Sequence, residues 1–438
     1  MRSTSAFLSL TLSALLIAGC GGGGGGGSEP PASHPPSISN LLYSPATAYQ
    51  VPNGTATISG TLDFADDGGD ITSLRMVSSG GTDVTVPTPA LSGYKSGTAT
   101  GAFEVPVDQV GKYTFEVWMT DSQGSSSNRL SGTFEVMVDD RANTFTKLAV
   151  TPPRNLAGIA YSAGLYIVVG AGGTVMTTPD LNNWTVQTSG VAHNLRSVAG
   201  SGLRFVAVGN SDAGEGVVIA STDGVSWSVR FTISLSTLSR VIWTGTQFVA
   251  VGLQRVDFSS DHYALILTSP DGLIWTQRAA QTVLIGQTGT EIGMNSVASS
   301  GHLLVAVGIG PEGYPAAWTS TDAEVWTRRT VPGLLGYNLR DVTWGLGKFV
   351  AVGWGGSPAV YSSGDGINWQ PNTDSAPLSA MNAVTTGATR YLAVSNTFRE
   401  TSMDALSWTA VPSTDCGNDV LWDGARYVAV GVSICRSP

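Results

Sequence analysis

A short apolar pattern recurs seven times over residues 140–438, and it constrains the fold more than any other feature of the sequence. Runs such as YIVVG, FVAVG, LVAVG, YLAVS and YVAVG end at residues 170, 209, 252, 308, 353, 395 and 431, so successive units lie 36 to 56 residues apart. Such continuous apolar runs are typical of strands buried on both faces. Units of about forty residues with about four short strands each predict a β-propeller, in which every unit forms one blade.

Two further motifs set the order of strands within a unit. One precedes each apolar run, as in LRSVAGSG, and predicts the inner strand. The other follows it and contains an Asp and, four positions later, a Trp, as in STDGVSW at 221–227; it predicts a turn between the third strand and the outer strand. The Asp-Trp string occurs six times and the other two motifs seven times. We therefore expect residues 143–150, with Phe145 in the place of Trp, to supply the missing outer strand and close the ring.

The Asp-Trp string resembles the Asp box, or BNR repeat, of sialidase-like propellers. Here Gly directly follows Asp, as at Asp223 and Gly224, and this variant is closer to the propellers of photosystem II assembly factors and of many bacterial surface proteins. In such a turn the carboxylate accepts backbone N–H groups and the Trp ring is buried between blades. This predicts structural turns, without a catalytic role, at Asp180, Asp223, Asp271, Asp322, Asp365 and Asp404.

The N-terminus carries the features of an export signal. Residue Arg2 precedes a short apolar stretch from Ala6 to Ile17, which is too short to cross a membrane as a helix. The small residues before Cys20 resemble the lipobox of bacterial lipoproteins, so residues 1–20 are interpreted as a signal peptide and Cys20 as the lipid attachment site. In such lipoproteins an Asp directly after the lipidated cysteine favours retention at the inner membrane, and here that residue is Gly21. The protein is therefore expected at the outer membrane, on either the periplasmic face or the cell surface. The Gly- and Pro-rich residues 21–36 predict a tether.

Residues 37–139 predict a separate β-sandwich. Tyr113, Phe115, Val117 and Met119 fall on one face of a strand with period two, and no helical periodicity is present in this region. The pattern from Gly111 onward resembles the end of PKD-type and other immunoglobulin-like (Ig-like) domains. Four carboxylates lie close together on a Gly-containing turn, which suggests either a calcium site or ordinary turn chemistry: Asp63, Asp66, Asp67 and Asp70.

The cysteines agree with a closed ring. With Cys20 lipidated, Cys416 and Cys435 remain, and both fall in the last repeat unit. In an oxidising compartment these two are expected to form a disulfide at the seam of the ring.

Few residues point to catalysis. A sialidase needs three arginines, a Tyr-Glu nucleophile pair and an Asp acid. The usual Arg-Ile-Pro segment is absent, and its nearest counterpart is TPPRNLAG with Arg154. The other arginines that precede or lie within repeat strands are scattered and are interpreted as structural or rim residues: Arg196, Arg240, Arg340 and Arg426. None of the histidines in the folded part has a neighbour at metal-ligand spacing. A net charge of -10 with no basic stripe argues against a nucleic-acid partner.

The sequence therefore predicts an all-β chain: an Ig-like β-sandwich followed by a seven-bladed β-propeller, closed by a blade of three C-terminal strands and one N-terminal strand. Its predicted function is that of a monomeric, non-catalytic binding or scaffold module for an envelope protein or glycan. Two alternatives remain open: a sialidase-like glycosidase, favoured if Arg and carboxylate side chains converge at the central cavity, and an assembly factor for a membrane complex. Candidate ligand residues on the loops of one rim are His262, Tyr263, Tyr314, Trp354 and Arg399.

Overall fold

A computed structural model describes residues 34–51, 54–255, 262–278, 293–310, 313–355, 360–372, 380–412 and 415–438. The chain divides between Asp139 and Asp140 into two compact units. Cys20, the predicted signal peptide and the predicted tether up to residue 33 lie outside the described residues. Within the described part of the chain, no helix has the length and apolar character needed to cross a membrane.

The first unit consists of two β-sheets that pack face to face. Apolar residues of both sheets share one buried cluster, for example Leu62 and Phe64 from one sheet with Phe115 and Met119 from the other. The three-stranded sheet has the order β1 (Ser37–Ser44), β3 (Thr55–Ala65), β6 (Ser96–Pro106). The five-stranded sheet has the order β2 (Thr47–Tyr49), β8 (Leu130–Met137), β7 (Gly111–Asp121), β4 (Ile71–Ser78), β5 (Asp83–Pro87).

The described residues of the second unit form seven four-stranded antiparallel sheets. In the first six, the strands are hydrogen-bonded in chain order. The first three sheets comprise β10 (Leu156–Ser162), β11 (Leu165–Gly170), β12 (Thr174–Thr178), β13 (Thr185–Thr188); β14 (Asn194–Gly200), β15 (Phe205–Asn210), β16 (Gly216–Ser221), β17 (Ser228–Ile233); and β18 (Ser236–Trp243), β19 (Phe248–Arg255), β20 (His262–Ser269), β21 (Thr276–Arg278).

The fourth to sixth sheets repeat the same order. They comprise β22 (Gly293–Ser299), β23 (Leu304–Ile309), β24 (Pro315–Ser320), β25 (Thr327–Thr330); β26 (Asn338–Gly345), β27 (Lys348–Trp354), β28 (Val360–Ser363), β29 (Gln370–Pro371); and β30 (Ala383–Thr386), β31 (Tyr391–Val394), β32 (Arg399–Ser402), β33 (Thr409–Val411). The second strand of each sheet is the apolar run of the sequence repeat, and its residues are buried on both faces, as at Val206, Ala207 and Val208.

The seventh sheet joins the two ends of the unit. It contains β34 (Asp419–Trp422), β35 (Tyr427–Val430), β36 (Ile434–Arg436) and, as its fourth strand, β9 (Thr146–Lys147). The two residues of β9 pair with Cys435 and Arg436, and the backbone N–H of Leu148 donates to the carbonyl of Ile434 at 2.8 Å. This is the pairing that the sequence predicts for residues 143–150. Cys435 of β36 forms a disulfide with Cys416, which lies just before β34, also as predicted.

The seven sheets stand in a ring. The first strand of each sheet contacts the first strand of the next, and β34 of the seventh sheet contacts both β30 and β10, which closes the circle. Buried apolar clusters fill the spaces between adjacent sheets. The second unit is therefore a β-propeller whose first strands surround the central axis.

Candidate functional site

The candidate site is built by β-bulges in the inner strands. In each of the first five sheets, the pairing between the first and second strands skips one residue of the first strand. A bulge leaves its extra residue outside the ladder and changes the direction of its side chain. The extra residues are Ala157, Arg196, Ser239, Asn295 and Arg340.

In the first five sheets, the glycine that ends the apolar run makes room for the bulge. A Cβ atom added to Gly209 would lie 2.1 Å from the carbonyl oxygen of Asn194, and one added to Gly353 would lie 2.2 Å from that of Asn338. Real Cβ contacts are never this short, so any larger residue would push the inner strand away. The repeated glycine is thus required by close approach of two backbones.

The extra residues meet at the centre of the ring. They line a cavity of about 470 Å³ together with residues of the other two sheets, so that all seven sheets contribute to it. We call it the axial cavity. Since Asn338 and Asn382 stand at or before the start of their first strands, the cavity lies at the end of the ring where these strands begin. Its polar lining residues are Arg196, Ser239, Arg240, Asn295, Asn338, Arg340, Asp341, Asn382, Asn396 and Asn418.

A buried ion cluster lies next to this lining. The guanidinium of Arg240 in the third sheet is 3.0 Å from a carboxylate oxygen of Asp419 in the seventh and 3.9 Å from one of Asp341 in the fifth. Asp341 also accepts hydrogen bonds from the hydroxyl of Ser296 at 2.6 Å and from the backbone N–H of Val384 at 2.8 Å. The cluster therefore connects sheets on opposite sides of the axis.

The charges of this cluster depend on one another. Burial works to lower the pKa of Arg240, but the carboxylates of Asp419 and Asp341 outweigh it and raise that pKa. Burial, with the nearby charge of Asp341, raises the pKa of Asp419 against the opposing effect of Arg240. The guanidinium consequently stays charged between the two carboxyl groups.

Arg196 and Arg340 are different, because they have amide partners. Nε of Arg196 donates to Asn210 at 2.6 Å, and an NH group of Arg340 donates to Asn382 at 2.9 Å. Within the described residues, neither has a carboxylate at ion-pair distance, and burial lowers the pKa of both. Arginine remains protonated at neutral pH. The axial cavity thus holds two cations that have no carboxylate partner among the described residues, in a chain whose net charge is -10.

Two of the predicted rim residues lie in the interior. Arg399 and His262 are buried, because each begins a third strand, β32 and β20, and such strands lie between neighbouring sheets. The guanidinium carbon of Arg399 lies 4.3 Å from the centroid of the Phe145 ring, and the guanidinium donates a hydrogen bond to the carbonyl of Pro412. Arg399 is therefore not accessible to a ligand on the rim. Tyr263 is half-buried, whereas Tyr314 and Trp354 are exposed.

The six Asp-box aspartates share one local arrangement. At Asp223, one carboxylate oxygen accepts the backbone N–H groups of Ser226 and Val225, both at 2.8 Å, and the hydroxyl of Ser221. These bonds hold its pKa below the ordinary value. The other five accept the matching N–H groups, and their pKa values are also lowered, although burial opposes this at Asp404. Carboxylates that already accept these hydrogen bonds from their own turn stabilise that turn.

The carboxylates of the calcium hypothesis do not converge. Asp63 accepts from Thr98 and Asn40, Asp66 accepts the backbone N–H of Asp70, and Asp67 is exposed. Over the part of the chain that the structure describes, no group of three or more His, Cys, Asp or Glu side chains is arranged to hold a metal ion.

Sequence reasoning missed the cavity arginines. Arg196, Arg240 and Arg340 look scattered along the chain, but each occupies the second or third position of the inner-strand motif. The three motifs read LRSV, LSRV and LRDV. Aligning the seven motifs would have shown that these positions are polar in most repeats. The inward direction of Arg196 and Arg340, however, comes from the bulge, whereas Arg240 follows the bulge residue Ser239.

No protein-family model and no curated protein matches the chain. Among solved structures, YCF48 bound to a D1 peptide aligns over 67% of this chain and 94% of its own, with 14% identity and a TM-score of 0.46. An acylaminoacyl peptidase of Pyrococcus horikoshii aligns over 63% of this chain and 49% of its own, with 8% identity and a TM-score of 0.41. A GH43 endo-arabinanase from Bacillus licheniformis covers 54% and 90%, with 10% identity and a TM-score of 0.31. Similarities this low decide nothing about activity, and the β-propeller fold rests on the sheets and contacts described above.

Proposed function

We propose that this chain is a cell-envelope lipoprotein whose propeller is a non-catalytic binding module for a protein or glycan partner. In this proposal the seven sheets are the seven blades of one propeller, the first unit is an Ig-like spacer, and Cys20 carries the lipid anchor. The partner binds over the axial cavity and places an anionic group, such as a carboxylate, between Arg196 and Arg340.

The observation that supports this function is the state of those two arginines. Each is held by an amide oxygen and is exposed to solvent, so an incoming carboxylate can reach it and form charge-assisted hydrogen bonds without displacing any counter-ion among the described residues. Arginine also binds carboxylates in a bidentate geometry. The surrounding asparagines add donors and acceptors that would fix the orientation of the group.

The test is a binding screen with matched charge variants. The chain is secreted with Cys20→Ser, so that it can be recovered without detergent, and applied to an envelope glycan array and to a displayed random-peptide library. Arg196→Gln with Arg340→Gln should abolish binding to the selected ligands. Arg230→Gln with Arg328→Gln, an equal loss of charge at exposed positions of outer strands, should leave it unchanged. Equal binding by both double variants would contradict the proposal.

A sialidase-like hydrolase is the second candidate, because three arginines and a carboxylate do converge at the axial cavity. Against it, the described residues that line the cavity include no Tyr and no Glu, so the nucleophile pair of such an enzyme is missing there. Asp341 is occupied by Ser296, Val384 and Arg240. We expect no hydrolysis of an aryl sialoside; turnover that disappears in Asp341→Asn would favour the enzyme instead.

A further inference from the structure

Four large apolar side chains are exposed on the rim that surrounds the axial cavity. Tyr314 is 41% exposed, Leu334 66%, Leu335 65% and Trp354 45%. Tyr314 lies in the hairpin between β23 and β24, the leucines in the loop from β25 to β26, and Trp354 at the end of β27. We call this set the rim patch. Soluble monomers seldom expose adjacent large apolar side chains unless they bind something there.

The three segments of the rim patch touch one another. The backbone N–H of Gly336 donates to the carbonyl of Gly313 at 2.8 Å, which joins the leucine loop to the Tyr314 hairpin. A Cβ added to Gly355 would lie 2.6 Å from the carbonyl oxygen of Gly336, so the Trp354 hairpin packs against the same loop. The four side chains therefore belong to one continuous surface.

The rim patch stands on a packed base. Tyr337, which follows the leucine loop, is completely buried, and its ring meets that of the buried Tyr361 edge to face at 5.9 Å. The backbone N–H of Tyr337 donates to the carbonyl of Leu334 at 3.2 Å. A loop held in this way loses little conformational entropy when a partner binds to it.

The rim patch also borders the axial cavity. Trp354 is paired with Asn338, which lines the cavity, and the guanidinium of Arg340 lies 5.2 Å from the centroid of the Trp354 ring. The apolar surface and a cation without a described counter-ion are thus in contact. A partner that covers both must present apolar side chains beside an acidic group.

We propose that the rim patch docks a protein segment with aromatic or aliphatic side chains next to a carboxylate that reaches Arg340. This inference rests on the proposed function and narrows it from protein or glycan to protein. Two exposed leucines suit apolar side chains, which bury well against them, whereas a sugar would leave its hydroxyl groups unpaired there. Aromatic and arginine side chains at the centre of a surface are the residues that dominate protein binding.

The experiment uses random dodecapeptides displayed on phage, selected on the full chain with Cys20→Ser. The patch variant is Leu335→Ser with Trp354→Ser, and Leu334→Ser with Leu335→Ser is a second variant that keeps the tryptophan. The control is Leu203→Ser with Ile274→Ser, two residues that are 86% and 73% exposed and lie outside the rim patch. Thermal melting shows that each variant is folded.

We expect the enriched peptides to carry an apolar residue near Asp, Glu or a free C-terminus. Their dissociation constants should rise about tenfold or more in both patch variants and stay unchanged in the control. Peptides that bind the patch variants as tightly as the parent, but lose binding with Arg196→Gln and Arg340→Gln, would overturn the patch and leave the proposed function standing. No enrichment of any peptide, with glycans bound through the arginines, would overturn the patch in the same way. Binding that is unchanged both in the patch variants and in Arg196→Gln with Arg340→Gln would overturn the patch proposal and the proposed function together.

Discussion

Arg240 donates a 3.0 Å hydrogen bond to Asp419 across the axis of the propeller, and this joins the third sheet to the seventh. The two carboxylates that face Arg240, those of Asp341 and Asp419, are almost completely buried. Hydrogen bonds from Ser296, Val384 and Ile159 satisfy their remaining oxygens. The centre of the ring is therefore held by a polar cluster as well as by apolar packing.

Replacing Arg240 by Met should destabilise the propeller strongly. It leaves two buried carboxylates without a cation, which typically costs about 3–5 kcal/mol of the free energy of unfolding. Urea unfolding of the parent and the variant measures the difference. Arg230→Met, an exposed arginine of an outer strand, is the control and should change stability little. Adding Asp341→Asn and Asp419→Asn to Arg240→Met should recover much of the loss; an Arg240→Met variant as stable as the control would contradict this account.

Gly209→Ala should destabilise the second sheet and move Arg196. The new methyl group would lie 2.1 Å from the carbonyl oxygen of Asn194, so the bulge that aims Arg196 must shift. Overpacking of this kind costs about 1–3 kcal/mol. The matched control is Gly364→Ala, where an added Cβ meets nothing within 4 Å. Chemical unfolding gives the stability difference, and peptide binding reports the position of Arg196; a Gly209→Ala variant indistinguishable from Gly364→Ala would refute the steric argument.

Glu400 should make stability depend on pH near neutrality. It is a buried carboxyl group in β32, at a position where the other six sheets have Met176, Ile219, Leu267, Trp318, Tyr361 or Cys435. Burial raises its pKa from 4.5 to about 7. The folded state therefore keeps a proton that the unfolded state releases, so the free energy of unfolding falls as the pH rises from about 4.5 to about 7.

The variant Glu400→Gln isolates this effect. At pH 4 it should be about as stable as the parent, since both side chains are neutral. Above pH 7 it should be more stable by about 2 kcal/mol, because the amide carries no buried charge. Thermal denaturation over this pH range gives the comparison. Parallel pH profiles for the two proteins would show that Glu400 has an ordinary pKa.

The disulfide should stabilise the closing sheet. Cys416 and Cys435 are 19 residues apart, and a loop of this size is expected to contribute about 2–4 kcal/mol. Reductant should lower the melting temperature of the parent and have no effect on Cys416→Ala with Cys435→Ala, which serves as the control. Because Cys416 lies two residues before Asn418, the same treatment should weaken binding at the axial cavity. A melting temperature that is insensitive to reductant would mean that the seam does not limit stability.

The arrangement of strands within each sheet could be predicted from the sequence because it depends on local patterns that repeat. The apolar runs are the second strands, the inner-strand motifs precede them, and the Asp-Trp strings mark the turn before the fourth strand. The pairing of residues 146 and 147 with the last sheet followed from counting motifs, since one outer strand was missing. The cysteine pair followed from its place in that same unit.

The candidate site could not be predicted in the same way. His262 and Arg399 were expected on loops, but the strands β20 and β32 begin at these residues, so neighbouring sheets bury them. Tyr314 and Trp354 are exposed on segments that contact a loop with two exposed leucines, and these leucines carry no motif of their own. Whether such a side chain is buried or exposed depends on how far each strand extends and on which loop packs beside it.

The sequence by itself determined the repeat, the order of strands and the segment that completes the last sheet, because hydrophobic periodicity and turn chemistry act between residues that are close along the chain. Only the tertiary structure decided that Arg196, Arg240 and Arg340 meet at the axis, together with Asp341 from the repeat of Arg340 and Asp419 from the last repeat. One-residue bulges turn Arg196 and Arg340 inward, and the ring brings together strands that are far apart in sequence. Neither effect is visible in any single repeat.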